Sequence, residues 1–290
     1  MDSLTIANAA GICKTVPDVR RFSHLTLSSY VTVGSISLPM LFGNPEPRTY
    51  SCDDGAFFNS IGLQNEGASF YTRALKEMLL IVTAAHKKLR VSIVGDHPEQ
   101  YGALAQIVAP LTHTIEINAG CPNVWKNGEQ KKIPSFDLRI LEEIVTRVGR
   151  EVANHGPVPD IALKLSPYSD PGMIAEVAAL VRVLPVSSLV LCNTFPNALP
   201  LKSDGTRAIS GKGYAGMSGH PYKPIVLGQV AQFREHLPDM RITAVGGIRE
   251  WTDIRDYVSV GANDFQVGEA CYRLGENVVQ QIAQDAYLNM

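Results

Sequence analysis

The sequence lacks the residue patterns of a disulfide-stabilised or metal-binding protein. Its five cysteines are odd in number and widely separated, and the 290 residues contain neither a Cys-x-x-Cys pair nor a His-x-x-x-His pair. These absences argue against a disulfide framework, an iron–sulfur cluster and a zinc site. We therefore expect a cytoplasmic protein, in a reducing compartment, with no metal centre.

The sequence also has little net charge and no long apolar run. The formal net charge is −2, only 19% of the residues are charged, and no Lys/Arg run occurs. A nucleic-acid or lipid-headgroup surface needs a basic excess, and a membrane span needs about 18 or more uncharged apolar residues in succession. We expect small-molecule or protein partners, and neither nucleic acid nor a membrane.

Short β-branched runs alternate with longer amphipathic segments along the chain, which is typical of βα units with a parallel sheet. Eight units predict an α/β fold: one domain, residues 1–290, forming a (β/α)8 TIM barrel with extended loops at the carboxyl ends of its strands. The predicted strands are Thr5–Asn8, Tyr30–Gly34, Val91–Val94, Thr114–Asn118, Ile161–Leu165, Leu189–Asn193, Ile242–Val245 and Asp264–Val267. The predicted helices include Tyr71–Leu89, Ser135–Asn154, Met173–Val183, Pro224–His236 and Trp251–Val260.

Two long segments interrupt this alternation. They are Ser35–Phe58 and Thr194–Pro221, and the second is rich in Gly, Ser, Lys and Pro. Long insertions in a compact domain are more often functional than accidental. We place both at the mouth of the barrel.

The segment Ile115–Asn123 carries the strongest functional signal. An apolar strand runs into a tight turn that places Asn118, Cys121 and Asn123 within six residues. A thiol between two amides can move a proton next to groups that both donate and accept hydrogen bonds. The alternative is a small buried thiol in a turn that the asparagines merely satisfy.

Lys164 and three glycines add to this site. A lysine within an apolar strand is costly unless its charge meets an anion or a polar cofactor, although it could also pair with a carboxylate or extend toward water. Gly246, Gly247 and Gly268 follow the last two strands, where barrels of this type bind phosphate. A phosphorylated cofactor with a polar ring system fits this set, and a Schiff-base aldolase that uses Lys164 is an alternative from a different class.

Several segments, in this order, resemble one family. They are Asn8–Gly11, Gly43–Arg48, Asn59–Asn65, Asn118–Asn123, Lys164–Pro167, Asn193–Thr194, Tyr222–Pro224 and Gly246–Ile248. Together they resemble the FMN-dependent dihydroorotate dehydrogenases, specifically the soluble class 1 enzymes with a cysteine base, over nearly the whole chain. The resemblance implies oxidation of dihydroorotate to orotate in pyrimidine biosynthesis.

The resemblance also implies roles for individual residues. Cys121 and Lys164 are the implied catalytic residues: Cys121 removes a carbon-bound proton while hydride leaves for flavin N5, and Lys164 stabilises the anionic reduced flavin. The implied substrate-binding residues are Asn59, Ser60, Ile61, Gly62, Leu63, Asn118, Asn123, Asn193 and Thr194. The implied FMN-binding residues are Ala10, Gly11, Gly34, Asn118, Lys164, Cys192, Gly219, Gly246, Gly247, Gly268 and Glu269.

A free thiol is mostly protonated at neutral pH, since its ordinary pKa is about 8.5. The loop around Cys121 must therefore supply hydrogen bonds or exclude water for the thiol to act as a base. Closure of the loop over residues 122–133 is part of the expected mechanism.

Two positions depart from the family pattern. Val33 stands where relatives have a lysine that contacts the flavin and the substrate carboxylate, and Glu269 stands where they have a threonine beside the phosphate. The alternatives are therefore a related neutral cyclic amide as substrate, or a flavin-binding homologue without dihydroorotate activity. If orotate binds tightly, another cation, with Lys223 or Lys126 as candidates, replaces the missing lysine.

The resemblance further implies a homodimer. The wording of Ile61–Asn65 and Lys164–Pro167 also resembles the subclass that works with an iron–sulfur flavoprotein electron-transfer subunit. The sequence leaves the electron acceptor open between fumarate, NAD through such a partner, and oxygen.

Overall fold

A computed structural model describes residues 4–126 and 129–289 of the chain. Its centre is a sheet of eight parallel strands that curves into a nearly closed barrel, in which the second to the eighth strand lie side by side in chain order and the first strand lies beside the eighth. The barrel strands are β1 (Thr5–Asn8), β2 (Tyr30–Ile36), β3 (Lys88–Ile93), β4 (Thr114–Asn118), β5 (Asp160–Leu165), β6 (Ser188–Leu191), β7 (Arg241–Ala244) and β8 (Asp264–Val267). The predicted TIM barrel is confirmed.

Helices connect successive strands and cover the outside of the barrel. They are α1 (Val16–Ser23), α2 (Ala68–Ala84), α3 (Pro98–Val108), α4 (Leu138–Ala153), α5 (Pro171–Val181), α6 (Lys223–His236), α7 (Trp251–Ser259), α8 (Glu269–Leu274) and α9 (Asn277–Asn289). Each contributes buried apolar residues to the same hydrophobic core as the strands, as α4 does with Leu141, Val145 and Val148. In the described part of the chain, no helix combines the length and apolar character needed to cross a membrane.

Several predicted boundaries differ from the structure by a few residues, and the largest difference is at the end of α2. The expected helix Tyr71–Leu89 ends at Ala84, because His86 adopts a left-handed conformation with φ of 56°. Lys88 and Leu89 then pair with Tyr30 and Val31 as the start of β3. Leu89 continues the apolar pattern of the helix in the sequence, but in the structure it is a fully buried residue of β3.

A side chain bridges the seam between β1 and β2. The Asn8 Nδ2 group donates to the Thr32 carbonyl at 2.7 Å, and the Thr32 N–H donates to Asn8 Oδ1 at 3.0 Å. Asn8 is fully buried. Its amide therefore reproduces the donor and acceptor pair that a neighbouring strand would supply, and it completes the ring of strands.

The two insertions form a second sheet over the barrel mouth. Four antiparallel strands lie in the order Phe195–Ala198, Ala215–Gly219, Ala56–Asn59 and Thr49–Ser51, and we refer to them as the cap sheet. The insertion after β2 supplies two of these strands and the insertion after β6 supplies the other two. The predicted position of both insertions at the mouth is confirmed.

We expect Asn8→Ala to lower the free energy of unfolding by at least about 2 kcal/mol, because it leaves a buried N–H and a buried carbonyl of Thr32 without a partner. Urea unfolding measures this difference. Asn154→Ala, at an exposed position after α4, is the matched control. Equal stability of the two variants would show that the seam needs no bridge.

Candidate active site

A cavity of about 370 Å³ opens where the carboxyl ends of the barrel strands meet the cap sheet. Most of the predicted site residues line it. These are Ala10, Gly11, Asn59, Ile61, Gly62, Leu63, Asn118, Cys121, Asn123, Lys164, Cys192, Asn193, Thr194, Gly219, Gly246, Gly247, Gly268 and Glu269. The structure thus brings together residues that span most of the chain.

Two predicted residues lie just behind this lining. Ser60 is buried, and both its hydroxyl and its carbonyl accept hydrogen bonds from Asn44 Nδ2 at 3.0 Å. Gly34 lies at the end of β2, where its carbonyl accepts from the Gly11 N–H at 2.6 Å, and the next residue, Ser35, lines the cavity instead.

Asn118 is the centre of an amide network at the end of β4. Its Nδ2 group donates to Ser35 Oγ at 2.9 Å, and its Oδ1 accepts from Asn193 Nδ2 at 3.0 Å. The Asn118 carbonyl accepts from the Tyr101 hydroxyl at 2.9 Å. Ser35 and Asn193 therefore hold this side chain in one orientation, and Tyr101 holds its backbone.

A second network ties the thiol turn to the cap sheet. Asn123 Nδ2 donates to the Asn59 carbonyl at 2.8 Å, and Asn44 Nδ2 donates to the Asn123 carbonyl at 3.1 Å. The two networks anchor the segment 118–123 at both ends. Cys121 lies between them, and its thiol is within hydrogen-bonding reach of the Asn123 N–H.

Cys121 is partly buried and faces the cavity. Burial raises the pKa of the thiol above its usual value, while the Asn123 N–H and the charges of Lys164 and Lys131 oppose this rise. The thiol is thus mostly protonated at neutral pH, and its thiolate is stabilised by a nearby ammonium.

Lys164 extends from β5 into the polar interior of the barrel. Its Nζ lies 3.9 Å from Glu116 Oε1, and it donates no hydrogen bond to any described residue. Burial lowers the pKa of Lys164, and the carboxylate of Glu116 opposes this shift. A buried ammonium with an unused donor, next to a cavity, is suited to a polar ligand.

Glycines form the corner of the cavity beyond β7 and β8. A Cβ atom at Gly246 would lie 2.6 Å from Val226 Cγ2, and one at Gly219 would lie 2.2 Å from the Gly55 carbonyl. The nearest atom to a Cβ at Gly268 is Ala9 Cβ, at 3.5 Å, so its backbone borders open space. Packing therefore demands glycine at the first two positions, whereas Gly268 leaves room for a ligand.

The carboxylate of Glu269 is neutralised by two arginines. Its oxygens lie 3.0 Å from Arg273 Nη1 and 3.7 Å from Arg249 Nε, and its side chain is 5% exposed. The expected repulsion between Glu269 and a phosphate at Gly268 is therefore weakened by two guanidinium groups at the same corner.

Besides Lys164, two further cations line the cavity, and sequence reasoning missed both of them. They are Lys14 and Arg48. Arg48 lies in a segment that the family resemblance includes, whereas no sequence signal marks Lys14. Of the two cations proposed as replacements for the missing lysine, Lys223 is held by Asp253 and Asp256 at 2.5 and 2.7 Å. The side chain of Lys126 lies outside the described residues.

Comparisons with known proteins identify the family of the chain. A family model described as dihydroorotate dehydrogenase matches residues 4–289. One relative, dihydroorotate dehydrogenase A (fumarate) of Streptococcus pyogenes serotype M3, is 27% identical over 286 residues that cover 97% of this chain and 87% of that protein. The protein of the same name from Streptococcus agalactiae serotype Ia is 28% identical over 285 residues, with the same coverage.

A solved structure shares the fold. The crystal structure of DHODH from Eimeria tenella in complex with ferulenol aligns with a TM-score of 0.80, at 19% identity, and covers 97% of this chain and 79% of that one. The family match extends over nearly the whole chain, and the cavity lies at the end of the barrel where such folds hold their active sites. The chain therefore belongs to the dihydroorotate dehydrogenase family of oxidoreductases, which act on a CH–CH group.

Proposed function

We propose that the protein is an FMN-dependent oxidoreductase that oxidises the CH–CH bond of dihydroorotate or a closely related cyclic amide, with Cys121 as the base. The observation that carries this proposal is the pairing, in one cavity, of a thiol with a buried ammonium that donates to no acceptor among residues 4–126 and 129–289. The Schiff-base aldolase alternative has no support, because the family consists of oxidoreductases.

The residues present fit FMN. The free donor of Lys164 suits an electron-rich edge of the flavin ring, and the open backbone at Gly268 suits the phosphate. Gly219, Gly246 and Gly247 border the same corner. In this position FMN would supply a hydride acceptor, and the chain supplies the binding, the orientation and the proton transfer.

The asparagine networks provide the proposed grip on the substrate ring. Asn59, Asn118, Asn123 and Asn193 line one cavity, and each carries both a donor and an acceptor. A cyclic amide alternates N–H and C=O groups around its ring, so a set of fixed amides can bind it in a single orientation. The hydrogen bonds among the asparagines keep this set ordered before a ligand arrives.

Cys121 acts as the proposed base from the turn between these amides. As a thiolate it takes a proton from a ring carbon, and the hydride leaves from the adjacent carbon. Lys164 and Lys131 favour the thiolate, whereas burial disfavours it. Closure of the loop 122–133 would exclude water. In the described part of this loop, Trp125–Lys126 pairs with Glu129–Gln130, and Trp125 stacks on Tyr214 at 6.4 Å; residues 127 and 128 lie outside the described part.

The assembly and the electron acceptor are further parts of the proposal. The names of the Streptococcus relatives make fumarate the first acceptor to test. We propose a homodimer in the cytoplasm, and an iron–sulfur flavoprotein subunit is the alternative route for the electrons.

The protein should purify with one FMN per chain, and Lys164→Met should weaken FMN binding about ten- to a hundredfold, the contribution of a charge-assisted hydrogen bond. Absorbance of the denatured protein identifies the chromophore, and flavin fluorescence measures its affinity. Lys76→Met, at an exposed position of α2, is the control. A colourless preparation that takes up no added FMN would sink the proposal.

Cys121→Ala should abolish flavin reduction by dihydroorotate and leave FMN bound, because the thiol moves a proton and does not hold the cofactor. Cys121→Ser should keep a trace of activity that increases at high pH. Rapid-mixing absorbance of the bound flavin gives the rates, with Cys52→Ala, a partly buried cysteine of the cap insertion, as the control. Unchanged reduction in Cys121→Ala would return this thiol to a packing role.

The reduction rate should depend on pH through both groups. Cys121 must lose its proton to act as a base, so the rate should increase with pH as the thiolate forms. Because burial raises the pKa of Cys121, this increase should occur at a higher pH than for a free thiol. Because Lys164 must stay protonated, activity should be lost as pH rises through the pKa of Lys164, which burial lowers.

Glu116→Gln removes a charge that raises the pKa of Lys164, so the loss at high pH should begin at a lower pH than in the native protein. Profiles of the reduction rate against pH check this shift, with the exposed Glu142→Gln as control. A lowered rate with an unshifted profile would mean that Glu116 serves stability alone.

A further inference from the structure

Position 33 of β2 carries a valine, whereas the family resemblance implies a lysine whose ammonium group would reach the cavity. It is fully buried in the apolar core, it pairs with Val91 of β3, and it does not belong to the cavity lining. A substrate carboxylate would therefore find no cation on this strand.

The loop between β1 and α1 runs alongside the end of β2. The Gly11 N–H donates to the Gly34 carbonyl at 2.6 Å, and the Gly34 N–H donates to the Cys13 carbonyl at 3.1 Å. Cys13 and Val33 form a parallel bridge. Lys14, the residue after Cys13, therefore lies beside the position of the missing lysine, and it lines the cavity.

Lys14 and Arg48 converge on one residue, Gln64. Lys14 Nζ donates to the Gln64 carbonyl at 2.8 Å, and Arg48 Nη1 donates to Gln64 Oε1 at 2.7 Å. Gln64 lines the cavity together with Ile61 and Leu63. An ammonium has three donors and a guanidinium has five, so both groups keep donors for a ligand.

Two cations at this end of the cavity are only partly compensated. The exposed carboxylate of Glu46 lies 3.0 Å from Arg48 Nε, and Asp18 accepts from the backbone N–H of Lys14 while it pairs with Arg21. Burial and the charge of Arg48 lower the pKa of Lys14, whereas Asp18 raises it. An anion between Lys14 and Arg48 would relieve both the repulsion and the loss of hydration.

We propose that Lys14, supported by Arg48, binds the carboxylate of the substrate and takes the place of the lysine that position 33 lacks. This inference rests on the proposed function, and it assigns an anionic cyclic amide to the cavity in preference to a neutral one. Lys14 thus determines specificity from a different segment of the chain.

The test is the binding of orotate and of uracil, a neutral ring without the carboxylate, to the FMN-loaded protein, followed by the flavin spectrum. Lys14→Met should weaken orotate binding about ten- to a hundredfold, the loss of one charge-assisted hydrogen bond, and leave uracil binding unchanged. Lys14→Arg should retain most of the orotate affinity. Lys202→Met, at an exposed position of the cap insertion, is the matched control.

Each other outcome overturns the inference in a recognisable way. Equal orotate binding by the native protein and Lys14→Met, or equal weakening of orotate and uracil, would refute the carboxylate role and leave the proposed function intact. Weakened FMN binding in Lys14→Met, measured by flavin fluorescence, with orotate affinity unchanged once FMN saturates the protein, would assign the cation to the cofactor phosphate. A native FMN-loaded protein that binds neither ring would overturn the proposed function itself.

Discussion

The buried carboxylate of Glu116 is the group on which the interior of the barrel depends. It has no exposure to solvent, and it lies 3.9 Å from Lys164 Nζ and 3.5 Å from Arg90 Nη1. Gln266 Nε2 donates to it at 2.9 Å, and the Arg90 guanidinium lies 4.2 Å from the centre of the Tyr30 ring. An unpaired buried charge costs several kcal/mol. Removal of any one of these charged groups would therefore destabilise the protein, because it would leave another charge buried without a partner.

The charges around Glu116 explain how Lys164 can stay charged although it is buried near the end of an otherwise apolar strand. Burial alone would favour a neutral amine, and the carboxylate opposes that tendency from below. The ammonium lines the cavity, and it donates to no acceptor in the described part of the chain. The interior charge layer and the site above it are therefore one electrostatic unit, in which Lys164 belongs to both.

The sequence predicts the barrel well because its strands are short apolar runs whose partners follow in chain order. β1 and β8 have the predicted bounds, Thr5–Asn8 and Asp264–Val267. The end of α2 was mispredicted because Lys88 and Leu89 continue a helical apolar pattern, and only pairing with β2 decides otherwise. The cap sheet pairs strands more than 130 residues apart, such as Met217 with Phe58, and no local pattern encodes such a register.

The candidate site divides in the same way. Asn118, Cys121 and Lys164 can be found from sequence, since each is a polar residue at the end of an apolar strand that a parallel barrel brings to one edge. Lys14 has no such signal, because its place in the cavity depends on the contact between the loop after β1 and the end of β2. A ligand responds to where a charge lies in space and not to the strand that carries it. A valine at position 33 therefore does not by itself exclude an anionic ligand, because Lys14 supplies a positive charge to the same cavity from another segment.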